Sequence, residues 1–284
     1  GPIIPPSGIM IIYAFVMNVS VAALFAAGLV PGLLVGFSLM GMTVYLSKKR
    51  NYPVASERAS LNEVAISFKG AILPLLTPVI ILGGILAGIF TPTEAASVAV
   101  VYALIIGHFA YHELDFGKLV YCLKITAMIS GAVLIIVGPA KAFGELMSLM
   151  EVPMMIGDAL TGVTENPFIL LMIIAAILIF TGMFLESIAQ IILLTPLMLP
   201  IVVSLGIDPI VFGIIMVISC EVGFLTPPVG FAIFYLKGVC PPGVKLTDIY
   251  KGVFPFIILQ LIALTLVFIF PDLVTWLPAK VYAP

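Results

Sequence analysis

The sequence predicts an all-α polytopic membrane protein with broken helices and re-entrant helical hairpins, and three observations carry that prediction. Of 284 residues, 62% are hydrophobic and only 9% charged, against roughly 25% charged in soluble domains. Mean hydropathy over the whole length is +1.30, which leaves too little polar surface to cover a water-facing shell. Several apolar runs are too short for the ~20 residues of a spanning helix and end in uncharged proline turns, which belong inside the membrane only when protein buries them.

The apolar runs occupy 9–18, 21–46, 71–90, 94–111, 126–150, 167–185, 187–206, 209–224, 229–239 and 252–271. The pieces at 9–18, 209–224 and 229–239 abut proline turns and read as half-spans or hairpin arms. In chain order, residues 1–20 are expected to form the second arm of a first re-entrant hairpin, and 21–70 a scaffold helix with a basic linker. Residues 71–111 follow as a broken helix around a Thr-Pro-Thr-Glu turn, and 112–166 as a scaffold helix. Residues 167–240 hold a second broken helix and a second hairpin, and 241–284 a C-terminal helix.

Two polar linkers are expected to lie fully in water. Ser47–Lys69 carries Lys48, Lys49, Arg50, Arg58 and Lys69 against Glu57 and Glu63, so the positive-inside bias places it on the cytoplasmic side. Gly238–Lys251 is more weakly biased. The stretch after Phe270 is expected to run the last helix out to an interfacial Trp276 and stop. The opening Gly1-Pro-Ile-Ile-Pro-Pro-Ser7 is a proline-rich apolar turn without a helix before it, so the chain is expected to begin inside a structural element.

Charge and cysteine usage narrow the function. Twelve Lys and Arg against 14 Asp and Glu give a net charge of −2. One small basic cluster, Lys48–Arg50, is too little for a nucleic-acid partner. Cys122, Cys220 and Cys240 are scattered and read as small apolar packers, neither a disulfide framework nor a metal site. The two histidines, His108 and His112, have no Glu between them, so a His-Glu-x-x-His zinc site is missing, as are Walker and Gly-x-Ser-x-Gly motifs. No enzyme and no transition metal is expected.

Self-similarity points to transport. Gly1-Pro-Ile-Ile-Pro-Pro-Ser-Gly8 and Gly223-Phe-Leu-Thr-Pro-Pro-Val-Gly230 share Gly-x-x-x-Pro-Pro-x-Gly, and Gly88-Ile-Phe-Thr-Pro-Thr-Glu94 echoes Gly182-Met-Phe-Leu-Glu186. Repeated interrupted hydrophobic segments are the sequence pointer to a secondary transporter's binding site.

Thr91 reads as an N-cap, Pro92 as the first helical residue and Glu94 as the closing member of a capping box. The alternative reading of that turn is an ion site at depth, where helix ends, glycine carbonyls and threonine hydroxyls suit a desolvated Na⁺ and the opposing N-terminus suits a carboxylate. Thr226 is expected to cap the second arm of its hairpin, with the Gly223 and Leu225 carbonyls left free by Pro227 and Pro228. Ser7, after Pro5 and Pro6, is expected to be the symmetric hydroxyl. Glu186 and Glu221 are carboxylates in apolar context, functional or structural. Lys141 and Glu145, one turn apart, read as a self-neutralised pair. Asn18 and Ser20 read equally as cap or ligand.

Gly88-Ile-Phe-Thr-Pro-Thr-Glu-Ala-Ala-Ser-Val-Ala99, Gly182-Met-Phe-Leu-Glu-Ser-Ile-Ala189, Gly223-Phe-Leu-Thr-Pro-Pro-Val-Gly230 and Ile4-Pro-Pro-Ser7 together resemble the large membrane subunit, DctM type, of tripartite ATP-independent periplasmic (TRAP) transporters. The four matches are in order and span nearly the whole chain. The resemblance implies an elevator-type ion-transporter fold and Na⁺-driven import of an organic acid, of C4-dicarboxylate or sugar-acid type, across the bacterial inner membrane. It implies a periplasmic substrate-binding protein that delivers the substrate, a small four-helix membrane subunit, and Na⁺ as coupling ion with no other cofactor. It also implies a long segment ahead of Ile4, so the chain is expected to be N-terminally truncated; Glu186 stands where many relatives have Asp.

The candidate cation set is then Gly88, Thr91, Thr93, Gly223, Leu225, Thr226 and Gly230. The candidate substrate set is Pro6, Ser7, Thr226 and Pro227, with Glu94 and Glu186 as structural or coupling carboxylates. The alternatives are a single-component Na⁺/dicarboxylate symporter or ion transporter of related fold and, from another class, an intramembrane enzyme, for which Glu186 and Glu221 are the only candidates.

Overall fold

The structure, a computed structural model, describes residues 1–53, 59–164, 166–241 and 243–282. Among these, every regular element is a helix. They run α1 Gly8–Met17, α2 Val21–Lys49, α3 Leu61–Leu86, α4 Pro92–Ile105 continued by a π-helical turn Ile106–Ala110, α5 Phe116–Leu149 and α6 Val152–Thr161. Then follow α7 Pro167–Gly182, α8 Ser187–Ser204, α9 Pro209–Leu225, α10 Phe231–Val239, α11 Leu246–Ile269 and α12 Asp272–Tyr282. Among the described residues, α2, α3, α4 with its π-turn, α5 and α11 are long and apolar enough to cross a membrane. The chain is an all-α polytopic membrane protein.

It divides into two compact units, one of Gly1–Tyr45 with Ile136–Pro284, the other of Leu46–Ile135. In the first, α9 is the core. Asp208 caps it by accepting from the Ile210 amide at 2.7 Å, Pro209 takes the first helical position, and the run Val211–Cys220 is buried without a break. A helix apolar all round has no face for water, and α9 packs against α7, α8, α11 and α1. The arms α1 and α10, of 10 and 9 residues, reach only ~15 and ~13 Å at 1.5 Å per residue, about half of a bilayer core.

The second unit pairs α3 with α4, and tyrosines from the α4 side tie them. Pro74 inside α3 has no N–H for the Gly70 carbonyl one turn back, and Tyr111 donates to that carbonyl at 2.9 Å. Tyr102 donates to Leu73 O, also at 2.9 Å. Val79 on α3, Val100 on α4 and Leu123 and Leu134 on α5 are exposed, as an apolar surface made for lipid or protein contact must be.

Several boundaries differ from expectation. Ser60 and Glu63 form a capping box, Ser60 N–H donating to the carboxylate at 2.7 Å and the Glu63 amide to the hydroxyl at 3.2 Å. That box starts α3 ten residues before the apolar run, inside the linker expected at Ser47–Lys69, so Lys69 is helical; Glu57 and Arg58 lie outside the described residues. The second linker, expected at Gly238–Lys251, is likewise mostly helix, because Asp248 accepts from the Lys245 amide and opens α11 at Leu246. The chain does not stop at Trp276. Pro271 ends α11 and a further helix, α12, runs to Tyr282, burying Val274 while Lys280 lies 5.4 Å over the Trp276 ring. The amphipathic α6 was also unforeseen. Lys141 and Glu145 are both exposed on α5, and no ion pair joins them among the described residues.

Candidate functional site

The first unit brings a helix break and a proline turn together. Helix α7 ends at Gly182, Met183–Glu186 bridge, and α8 restarts at Ser187. Glu186 makes the restart possible: its Oε2 accepts from the Ile188 amide at 2.9 Å and the Ala189 amide at 3.4 Å, filling the N-cap position. The turn of the second hairpin lies between α9 and α10. Gly223, near the end of α9, rests on the end of α7: a methyl group added to it would lie 2.7 Å from Ile179 O and 2.8 Å from Gly182 Cα. Only glycine permits that approach on either side.

Gln190 closes the junction. It is fully buried, and its Nε2 donates to Leu178 O at 2.5 Å and to Thr181 Oγ1 at 3.0 Å. With the amide nitrogen fixed that way, Oε1 points back to the glycine contact, 2.9 Å from where a Gly182 Cβ would stand, and has no hydrogen-bond partner. A buried acceptor without a donor costs about 1–3 kcal/mol; among the described residues Thr195 Oγ1, Ser219 Oγ and Gln260 Oε1 are in the same state, and Gln190 Oε1 is the one beside Gly182. Sequence reading passed over Gln190; a lone amide in the apolar run 187–206 was the signal.

The two Gly-x-x-x-Pro-Pro-x-Gly turns share a backbone. Ile4 N–H donates to Gly1 O at 3.1 Å and Thr226 N–H to Gly223 O at 2.9 Å, the same pair of positions, and both Pro-Pro bonds are cis. Their hydroxyls are not symmetric, contrary to expectation. Ser7 is buried and caps α1, accepting from the Met10 amide at 3.3 Å. Thr226 does not cap the second arm. It ends α9, with Oγ1 donating to Val222 O at 2.5 Å, and the N-cap of α10 is Gly230, which has no side chain for the task and a left-handed φ of 59°. The hydroxyl finds a carbonyl of its own helix before it can reach α10. Nor is the Gly223 carbonyl free of donors, since the Thr226 amide uses it. Thr226 Oγ1, having given its proton to Val222, keeps its lone pairs.

Other long-range contacts fix this hairpin. Tyr13 of α1, fully buried, donates to Pro209 O at 2.6 Å, and Tyr250 of α11 reaches Pro228 O at 3.0 Å and Val229 O at 3.2 Å. Neither was foreseen, because the partners are remote in sequence or sit in a loop.

In the second unit, Gly88, Thr91, Thr93 and Glu94 cluster at the break between α3 and α4. The expected capping box is present: Glu94 Oε2 accepts from Thr91 N at 2.8 Å and Thr91 Oγ1 at 2.9 Å, and the Glu94 amide donates to Thr91 Oγ1 at 3.3 Å. Gly88 takes a φ of 70°. Thr93 is exposed, in a shallow groove with Ile89, Phe90, Glu94, Ser97 and Val98. The N-termini of α4 and α8 therefore already hold the protein's own carboxylates, at N3 in one case and at the N-cap in the other. Glu221 is half-buried on α9.

Residues 1–273 match the family described as tripartite ATP-independent periplasmic transporter, DctM component. The chain is 39% identical over 278 residues to the sialic acid TRAP transporter large permease SiaM of Vibrio cholerae, covering 98% of this chain and 64% of that protein. It is 40% identical over 264 residues to the isethionate TRAP transporter permease DctMQ of Oleidesulfovibrio alaskensis, 93% of this chain and 41% of that one. To the C4-dicarboxylate TRAP transporter large permease DctM of Pseudomonas aeruginosa it is 36% identical over 278 residues, 98% and 64%. The chain thus spans between two fifths and two thirds of the length of these relatives.

Proposed function

The chain belongs to the DctM component family of tripartite ATP-independent periplasmic transporters, and from that premise we propose that it is the large membrane subunit of a Na⁺-driven importer of an organic acid in a bacterial inner membrane. Na⁺ is bound at the junction of the α7–α8 break with the turn after α9. The observation that carries this reading is Gln190 Oε1, buried and without a donor at the contact of Gly182 with Gly223. Thr226 Oγ1, its proton turned away, and the Leu225 carbonyl add oxygens at the turn, the ligand type by which broken transporter helices hold coupling ions. Gly88, Thr91 and Thr93 supply a second oxygen-rich break.

The substrate anion is read at the proline turns, toward Pro6, Ser7, Thr226 and Pro227. The N-termini of α4 and α8 are neutralised by Glu94 and Glu186, whereas that of α10 has no side-chain cap and keeps its partial positive charge for a carboxylate. The names of the relatives, for sialic acid, isethionate and C4-dicarboxylates, all describe organic acids. The tripartite family supports two partners, a small membrane subunit and a periplasmic binding protein that delivers the substrate, with the hairpins as the moving part of an elevator.

The test is uptake into liposomes of the complete transporter with its small subunit and loaded binding protein. An inward Na⁺ gradient is expected to drive accumulation, and a K⁺ gradient of the same size is not; accumulation indifferent to Na⁺ overturns the reading.

A further inference from the structure

The second hairpin is held at both ends by tyrosine hydroxyls of different character. At its base, the Tyr13 ring lies on Gly213, where a Cβ would come within 2.6 Å of Tyr13 Cε1, and its hydroxyl reaches Pro209 O one turn back at 2.6 Å. Tyr13, Leu24 and Phe212 are all fully buried there, and the bond to Pro209 O is part-buried. At the turn, Tyr250 shares one proton between Pro228 O and Val229 O, at 3.0 and 3.2 Å, and the Pro228 end of this contact is exposed. These carbonyls follow two prolines, which deny the turn two backbone donors, and the Tyr250 hydroxyl supplies one from outside the hairpin.

We infer that Tyr250 is a positioning residue, a releasable latch that holds the turn of the second hairpin on α11, while Tyr13 is the fixed pin at its base. This rests on the Na⁺ reading for its functional consequence, not for its geometry. The latch sets the place of Thr226 and Leu225, two and three residues ahead of Pro228, against the Gly182–Gly223 contact. Releasing it frees the turn without unseating α9. The repeat-related Tyr235, which follows Gly230 by the same five residues that separate Tyr13 from Gly8, is 67% exposed, so on this hairpin the arm's own tyrosine does not take over the holding role.

Amide hydrogen exchange on the complete purified transporter tests this. In Tyr250→Phe, which keeps the ring, exchange at Ile233 and Phe234, whose amides donate to Gly230 O, is expected to rise about fivefold, the worth of one hydrogen bond, with Val211–Ile215 unchanged. Tyr13→Phe is expected to show the reverse pattern. In Na⁺-dependent uptake, Tyr250→Phe should raise half-saturating Na⁺ severalfold while the melting temperature holds. Unchanged exchange at the turn in Tyr250→Phe overturns the latch, whatever Na⁺ does. The exchange pattern with a wild type indifferent to Na⁺ supports the latch and removes the coupling-ion reading instead.

Discussion

Gly182 and Gly223 meet backbone to backbone, so that a methyl group on Gly223 would fall 2.8 Å from both the Cα and the carbonyl carbon of Gly182. This contact joins the break between α7 and α8 to the hairpin turn, and it separates packing effects from ligand effects. Gly223→Ala is expected to destabilise the transporter by about 1–3 kcal/mol or more through overpacking, seen as a lower melting temperature. Gly131→Ala, with open space around it, should stay within about 0.5 kcal/mol of wild type. Equal melting temperatures for Gly223→Ala and wild type would contradict the contact.

Thr226 gives the cleaner functional probe. Its back-bond to Val222 is a weak contributor to a helix end, so Thr226→Ala should move stability by less than ~1 kcal/mol. Half-saturating Na⁺ for uptake is expected to rise about tenfold, the worth of one charge-assisted contact, with Thr226→Ser restoring it. Loss of folded protein without a Na⁺ shift would return Thr226 to a structural role.

The two acidic caps predict different tolerances. Glu94 acts from the third helical position through one carboxylate oxygen, a task a glutamine carbonyl performs as well, so Glu94→Gln should retain Na⁺-dependent uptake within about twofold. Glu186 acts from the N-cap itself, where shorter acids cap well. Glu186→Asp is expected to be tolerated and Glu186→Ala to cost about 0.5–2 kcal/mol, read by thermal unfolding. A large uptake defect in folded Glu94→Gln would show that the charge, not the cap, matters.

What the sequence disclosed follows the range of the interactions. The Thr91–Glu94 box was legible because both partners lie within one turn, and the short arms α1 and α10 because length alone limits what crosses a bilayer. Thr226 was misread for the same local reason. A threonine before two prolines looks like the start of the next helix, but the Val222 carbonyl four residues back was nearer. Glu186 stood out by its charge, yet its use as an N-cap depended on where α8 begins. The Tyr13–Pro209 bond spans 196 residues and is set by the packing of α1 on α9, which no local pattern contains. Gln190 could have been noticed by its type, but the direction of its Oε1 comes only from where Leu178 and Thr181 anchor the other end of the amide.

The most direct measurement is the thermal stability of the purified transporter in NaCl against KCl, for wild type and Gln190→Leu. A cation bound only by the folded protein adds about 2.7 kcal/mol at a concentration one hundred times its Kd. Wild type is predicted to melt several degrees higher in Na⁺ than in K⁺, and Gln190→Leu, of similar volume and without the buried oxygen, to fold but lose most of that difference. Equal stabilisation by K⁺, or a Na⁺ response undiminished in Gln190→Leu, would contradict a Na⁺ site at the Gly182–Gly223 junction.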